Sequence, residues 1–150
     1  MKFSKKRSSI SPKDNTMKKI LLFSILMMFT QLFADIDWQK DLSSAFAKAA
    51  KEHKVVMVMV EGEHCKWCKK MRYRTLGDEG VEKKLSNYVT VRVMEEDEKA
   101  VKTLPEIDGV PTIFFMNADK EVIQKLVGYY DVDDFLSFIT TVEEKRAAQK

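Results

Sequence analysis

Cysteine is scarce in this chain. Its 150 residues include only two cysteines, and both lie in the sequence Cys65-Lys66-Trp67-Cys68. With both thiols in one C-x-x-C motif, none remains for a framework of stapling disulfides. We therefore expect the pair to be a chemical reagent rather than a scaffold.

Other metal-binding residues are also few, and this limits what the pair could bind. A structural zinc site takes four ligands, and the remaining candidates are His53, His64 and scattered carboxylates, with no second ligand pair. Attachment of a c-type haem requires histidine directly after the second cysteine, where this chain has Lys69. Haem attachment is excluded, while a zinc half-site and a pair of inert, packed thiols remain the less favoured alternatives.

The apolar run near the N-terminus is too short for a membrane span. Met17-Lys18-Lys19 leads into Ile20–Phe33, which has 14 residues, whereas a spanning helix needs about 20. This pattern predicts a secretory signal peptide over residues 1–34, cleaved after Ala34, rather than a permanent anchor. The polar stretch 1–16 suggests that Met17 is the true start and that those residues are a wrongly assigned extension.

Excess positive charge is missing once that segment is set aside. The whole chain has net charge +3, but residues 1–34 hold 7 of the 26 Lys and Arg and 1 of the 23 Asp and Glu. The expected mature domain, residues 35–150, therefore has 19 basic and 22 acidic residues and net charge −3. This balance argues against nucleic-acid binding. An exported, periplasmic location is expected, where disulfides form and exchange.

The cysteine motif falls where a strand is expected to lead into a helix. Val55–Val60 is an unbroken apolar run, the pattern of a strand buried on both faces, and Gly62 ends it. Unpaired N–H groups and the positive dipole end at a helix start stabilise a thiolate, and the lysines at 66, 69 and 70 act in the same direction. The pKa of Cys65 should therefore lie below the free-thiol value of about 8.5.

The rest of the chain alternates between helical and strand patterns. The apolar spacing from Trp38 to Ala50 predicts a first helix, and the cysteine helix should continue to Gly77. Further strands are predicted at 89–93, 110–116 and 121–130, the last two as an antiparallel hairpin. Asp131 is the expected N-cap of a final helix.

This order of elements and two separated motifs resemble the thioredoxin fold, over residues 37 to about 140. Within that superfamily the chain is most similar to small exported thioredoxin-like proteins and to the C-terminal domain of thiol:disulfide interchange protein D. The resemblance rests on Trp38 with the helix at 45–50, on the sequence from Cys65 to Met71, on Gly109-Val110-Pro111-Thr112 and on Gly128-Tyr129-Tyr130. It implies an α/β fold with a mixed central sheet of about four strands flanked by helices.

The resemblance also implies roles for particular residues. Cys65 would attack a substrate disulfide, and Cys68 would resolve the mixed disulfide. Pro111 would be cis and lie beside the cysteines, and with Val110 it would bind an extended substrate. An ordinary strand start remains the alternative for Pro111. Trp67 either contacts substrate or only covers the helix start.

The sequence departs from thioredoxin in ways that limit the analogy. Thioredoxin keeps a buried acid six residues before its first cysteine, and this chain has Met59 there. Glu61, Glu63 and His64 are the candidate substitutes for proton transfer, and each could equally be a solvated loop residue.

The sequence favours an exported thiol:disulfide oxidoreductase, working as a reductase of protein disulfides. No cofactor, metal or nucleic-acid partner is expected, and a membrane-bound electron donor would keep the pair reduced. One alternative is a binding module for soft metal or a partner, in which the thiols hold Cu(I) with help from Met57, Met59 or Met71. Another is a disulfide-bearing interaction domain without turnover.

Overall fold

The elements of the fold follow one another closely along the chain. A computed structural model of the protein describes residues 35–148, and the predicted signal peptide, residues 1–34, lies outside them. The strands are β1 (Trp38–Gln39), β2 (Val56–Glu61), β3 (Val89–Met94), β4 (Thr112–Met116) and β5 (Val122–Val127). The helices are α1 (Leu42–Glu52), α2 (Lys66–Lys70), α3 (Glu79–Leu85), α4 (Glu98–Val101) and α5 (Val132–Ala148), with a π-helical segment, Met71–Leu76, directly after α2.

Strand β2 is the centre of the sheet. All its residues are buried, as the apolar run predicts. It pairs in parallel with β3 on one side and antiparallel with β4 on the other, giving a five-stranded mixed sheet in the order β1-β3-β2-β4-β5. The α/β class and the mixed sheet are thus confirmed.

The fifth strand, β1, is the difference from the expected arrangement. Trp38 pairs in parallel with Thr90 of β3 and does not belong to the first helix. The helix begins later because the Asp41 carboxylate accepts a hydrogen bond from the Ser44 N–H at 2.7 Å, which caps α1 at Leu42.

The alternation of side chains along β2 creates a core on each face of the sheet. Met57 and Met59 point to the face covered by α2, the π-helical segment, α3 and α5. Val56, Val58 and Val60 point to the other face, which α1 covers. The cysteine helix therefore lies over the methionine face.

The β4–β5 hairpin forms as predicted, although both strands are shorter. The Asn117 side chain accepts the Glu121 N–H at 2.9 Å and closes the turn. At the other end, Gly128 has φ +98°, a conformation that favours glycine, and donates its N–H to the Pro111 carbonyl at 2.7 Å. This bond holds the end of β5 against the residue that precedes β4.

Helix α5 closes the methionine face. The Asp131 carboxylate accepts the Asp134 N–H at 3.0 Å, which confirms the predicted N-cap. Phe135, Ile139 and Val142 are buried against the sheet. Between residues 35 and 148, no helix combines the length and apolar character that crossing a membrane requires.

Candidate active site

The cysteine motif lies at the start of α2. A turn after β2, closed by the Cys65 N–H and the Gly62 carbonyl at 3.2 Å, places Cys65 at the N-cap position. Its sulfur atom accepts a hydrogen bond from the Cys68 N–H at 3.0 Å. A helix N-terminus leaves such N–H groups without backbone partners, so the sulfur takes the place of a capping oxygen. The same N–H would stabilise negative charge on Cys65 in the reduced protein.

The two sulfur atoms form a disulfide, and their surroundings differ. The Cα atoms of Cys65 and Cys68 are 5.2 Å apart. Cys65 is half-buried, whereas Cys68 is 1% exposed and belongs to the core on the methionine face. An incoming sulfur can therefore reach Cys65 and not Cys68.

The loop before β4 lies next to the turn that leads into the motif. The Val110–Pro111 peptide bond is cis. A side-chain methyl group at Gly62 would be 3.5 Å from Cγ2 of Val110, so the two loops are in close contact. No hydrogen bond joins the backbone N–H or C=O of Val110 to another residue of the described range 35–148.

A groove of about 300 Å³ runs beside the motif. It is lined by Trp67, Val110, Pro111, Gly128 and Tyr129. The structure thus brings together the three residues that the sequence assigned to substrate binding. Trp67 is 56% exposed, so it does not serve as core, and its ring lies 5.7 Å from that of Tyr129.

The sequence interpretation did not assign to substrate binding either Tyr129, which lines the groove, or Lys70, which lies against Tyr129. Tyr129 forms one wall, and the Lys70 ammonium lies 4.1 Å from the Tyr129 ring centroid and 5.0 Å from that of Trp67. Lys70 is three residues after Trp67, so the two share one face of α2. That helical spacing was the available signal for Lys70, and the aromatic pair after Gly128 was the signal for Tyr129.

Glu61 is held by arginines. It is 5% exposed, at the end of β2. One carboxylate oxygen lies 3.0 Å from Nε of Arg72 in the π-helical segment, and the other accepts a hydrogen bond from Nη1 of Arg92 on β3 at 3.4 Å. This pairing compensates the buried charge and joins the π-helical segment to strands β2 and β3.

Glu63 and His64, the other proton-transfer candidates, lie on the exposed loop before Cys65. The Glu63 N–H donates to the Glu96 carboxylate at 2.9 Å, and this hydrogen bond holds the pKa of Glu96 below its usual range. The loop is thereby joined to the turn after β3, and its side chains stay in solvent.

The methionines considered as soft-metal ligands are core residues. Met57, Met59 and Met71 are all fully buried and pack in the same cluster as Cys68. In the part of the chain that the structure describes, no group of three or more His, Cys, Asp or Glu side chains could hold a metal ion.

The fold and the disulfide at the start of α2 define the class of protein: a thiol–disulfide oxidoreductase with the thioredoxin fold. Residues 42–143 match the family model of the thioredoxin-like domain, and the chain belongs to that family.

Individual relatives agree with this membership. The chain is 31% identical over 107 residues to the thiol:disulfide interchange protein DsbD of Vibrio cholerae, an alignment that covers 67% of this chain and only 18% of that protein. Among solved structures, a thioredoxin from Thermus thermophilus is 26% identical with a TM-score of 0.63, covering 73% of this chain and 88% of that one. The reduced DsbD C-terminal domain of Neisseria meningitidis shares the fold, with 24% identity, a TM-score of 0.57 and coverage of 66% and 91%.

Proposed function

We propose that this protein is an exported thiol:disulfide oxidoreductase that reduces disulfides in other proteins. The observation that carries the proposal is the half-buried Cys65 sulfur at a helix N-terminus, bonded to the buried Cys68 sulfur and adjacent to an open groove. A disulfide with one accessible sulfur exchanges with a partner in a defined order.

The reaction starts from the reduced protein. The Cys65 thiolate attacks one sulfur of the substrate disulfide, forming a mixed disulfide and releasing the other substrate sulfur as a thiolate, which takes a proton from water. Cys68 then loses its proton to water and attacks the Cys65 sulfur, which releases the second substrate sulfur as a thiolate that takes up a proton in turn. Two electrons have passed to the substrate, and the Cys65–Cys68 disulfide has formed. A donor dithiol, proposed to be membrane-bound, reduces this disulfide again.

The Pro111 loop supports binding of an extended substrate. The unpaired backbone N–H and C=O of Val110 are the groups through which a substrate segment would add to the loop as a strand does. Trp67 and Tyr129 would cover the apolar part of that segment. The groups needed to align a substrate sulfur therefore lie on the same side of the molecule as Cys65.

The proposed direction rests on the relatives and on the compartment. The Vibrio cholerae relative is a thiol:disulfide interchange protein, and an exported space already oxidises thiols, so a reduced dithiol has a distinct use there. The lysines of α2 act the other way, because stabilising the thiolate stabilises the reduced form and makes the disulfide a better oxidant. Solvent screens charges at exposed positions, so we give the first consideration more weight.

Two measurements test the direction. We expect an equilibrium potential well below about −120 mV, the value for a strong oxidant, and a pair that is mostly dithiol in cells. A potential near that value with a mostly oxidised pair in cells would make the protein an oxidase.

Covalent trapping tests the exchange chemistry. Cys68→Ser should hold substrate proteins as mixed disulfides on Cys65, because the resolving sulfur is gone. The matched variant Cys65→Ser should hold far fewer, since Cys68 is buried. Equal trapping by the two variants would contradict the assigned order of attack.

A further inference from the structure

The segment that carries the cysteines has charge of one sign. Residues 65–77 contain five basic side chains and no Asp or Glu. Residues 35–150 as a whole have a net charge of −3. The basic charge is therefore concentrated on the cysteine helix and the π-helical segment.

Lys70 differs from the other basic residues in its position. Its ammonium lies against the rings of both Trp67 and Tyr129, at the edge of the groove. Arg72, two residues later, forms an ion pair with Glu61, but no carboxylate lies within ion-pair distance of Lys70 among residues 35–148. The aromatic faces orient the cation without removing its charge.

Two of the acidic side chains on the loops that line the groove have partners of their own. Asp108, before the Pro111 loop, forms an ion pair with Lys125 of β5. Asp131, after Tyr129, caps α5 through the Asp134 N–H. Lys70 therefore presents a positive charge at the edge of the groove without an ion-pair partner among residues 35–148.

We propose that Lys70 selects substrate segments that carry an acidic side chain close to the reacting cysteine. The occupant is an extended polypeptide that reaches Val110 and rests on Trp67 and Tyr129, with its carboxylate paired to Lys70. Charge complementarity at the edge of the groove carries this choice. The inference rests on the proposed function and specifies its substrate class.

A set of matched peptide disulfides tests the selection. The peptides share one sequence and differ only beside the cysteine, where they carry Glu, Gln or Lys. The reduced protein should show the highest kcat/KM for the Glu peptide and the lowest for the Lys peptide. An exposed ion pair contributes about 0.2–1 kcal/mol, so the Glu peptide should exceed the Gln peptide by up to about fivefold at low salt. Added salt should reduce the ratio.

Two variants locate the effect. Lys70→Gln should abolish the preference for Glu over Gln, and Lys70→Glu should reverse the order of the Glu and Lys peptides. Lys69→Gln is the matched control, because it removes the same charge from the same helix at a residue without the aromatic contacts. It should keep the preference ratio even if the absolute rates change.

The outcomes separate this inference from the proposed function. Equal kcat/KM for all three peptides would overturn the role of Lys70 and leave the reductase intact. If Lys69→Gln lost the preference for the Glu peptide as completely as Lys70→Gln, the role of Lys70 would also be overturned. The overall positive charge of the helix would then be sufficient to explain the preference. Failure to reduce any peptide would contradict the proposed function, and this inference with it.

Discussion

The sulfur atoms of the motif have different environments although only two residues separate them. Cys65 caps a helix and is partly open to solvent, whereas Cys68 packs among methionines and aromatic rings. Accessibility and thiolate stabilisation therefore favour the same atom, and the chemistry of the pair should be strongly asymmetric.

Alkylation of the reduced protein measures this asymmetry. Cys65 should react first and should titrate below the free-thiol pKa of about 8.5, because the helix N-terminus and the Cys68 N–H stabilise its thiolate. Mass spectrometry of the labelled peptides across a pH series identifies which cysteine reacts. Equal labelling rates, with both pKa values near the free-thiol value, would contradict the assigned nucleophile.

Tyr88 gives a separate prediction for alkaline pH. Burial, with a smaller contribution from the Glu143 carboxylate, raises its pKa to about 12. The unfolded chain loses this proton near pH 10, so the folded state holds the proton more tightly. The contribution of this proton to the free energy of unfolding is complete below about pH 10 and is lost as the pH rises towards about 12.

The free energy of unfolding should accordingly fall in that range by up to about 2 kcal/mol on account of Tyr88. Tyr88→Phe keeps the ring against Phe115 and removes the proton, so its loss of stability over the same range should be smaller. Urea unfolding at pH 9 and pH 11.5 compares the two proteins. Parallel pH dependences would show that Tyr88 does not contribute.

Single residues of the site were predictable to different degrees. Cys65, Trp67 and Pro111 belong to local motifs, and a motif can be read without knowing the fold. The pairing of Glu61 with Arg72 and Arg92 joins residues far apart in sequence, and nothing in the local pattern indicates it. The contact of Lys70 with Tyr129 is hidden for the same reason.

At the scale of elements, the cysteine helix continues as a π-helical segment rather than a regular α-helix. Helical periodicity predicted its extent to Gly77 correctly, but it does not distinguish the two hydrogen-bond patterns. Two tertiary contacts hold the segment: Arg72 binds Glu61, and the Thr75 hydroxyl donates to the Tyr130 carbonyl at 2.6 Å. The second contact fixes the chain next to the wall of the groove.

Replacing Thr75 tests that contact. Thr75 is fully buried, so Thr75→Val keeps its volume and leaves the Tyr130 carbonyl without its donor. The free energy of unfolding should fall by about 1–3 kcal/mol, measured by urea denaturation. Thr75→Ser keeps the hydroxyl and loses one methyl group, and it should be less destabilising. A Ser variant less stable than the Val variant would show that packing matters more than the hydrogen bond.

At the scale of the whole molecule, the order of elements together with the two separated motifs, around Cys65 and around Pro111, carried the resemblance that predicted the fold. Periodicity and turn residues predicted the buried strand β2, the helix that begins at the cysteine motif and the β4–β5 hairpin. Strand β1 was not, because a two-residue strand has no periodicity and exists only by pairing with β3. Short edge strands depend on tertiary contacts that a local pattern does not contain.

Export is a prediction about the whole chain. If residues 1–34 are a signal peptide, the protein secreted by a bacterial host should begin at Asp35, and intact-mass measurement of the periplasmic fraction would show this. Replacing Lys18 and Lys19 by Glu should reduce export, since the basic start of the segment would be lost. A cytosolic protein that retains Met17 would contradict the exported location.

The burial of Cys68 links the redox state of the pair to the conformational stability of the domain. In a thermodynamic cycle, the stability difference between the oxidised and reduced forms equals the difference in reduction potential between the folded and unfolded chains, and about 30 mV corresponds to 1.4 kcal/mol. Cys68 packs in the same core as Met59 and Met71. A core side chain that packs better against the disulfide than against the thiol, or the reverse, therefore changes the reduction potential of the folded chain, even if that side chain is remote from the groove. The hydrophobic core therefore helps to set the electron affinity of the cysteine pair.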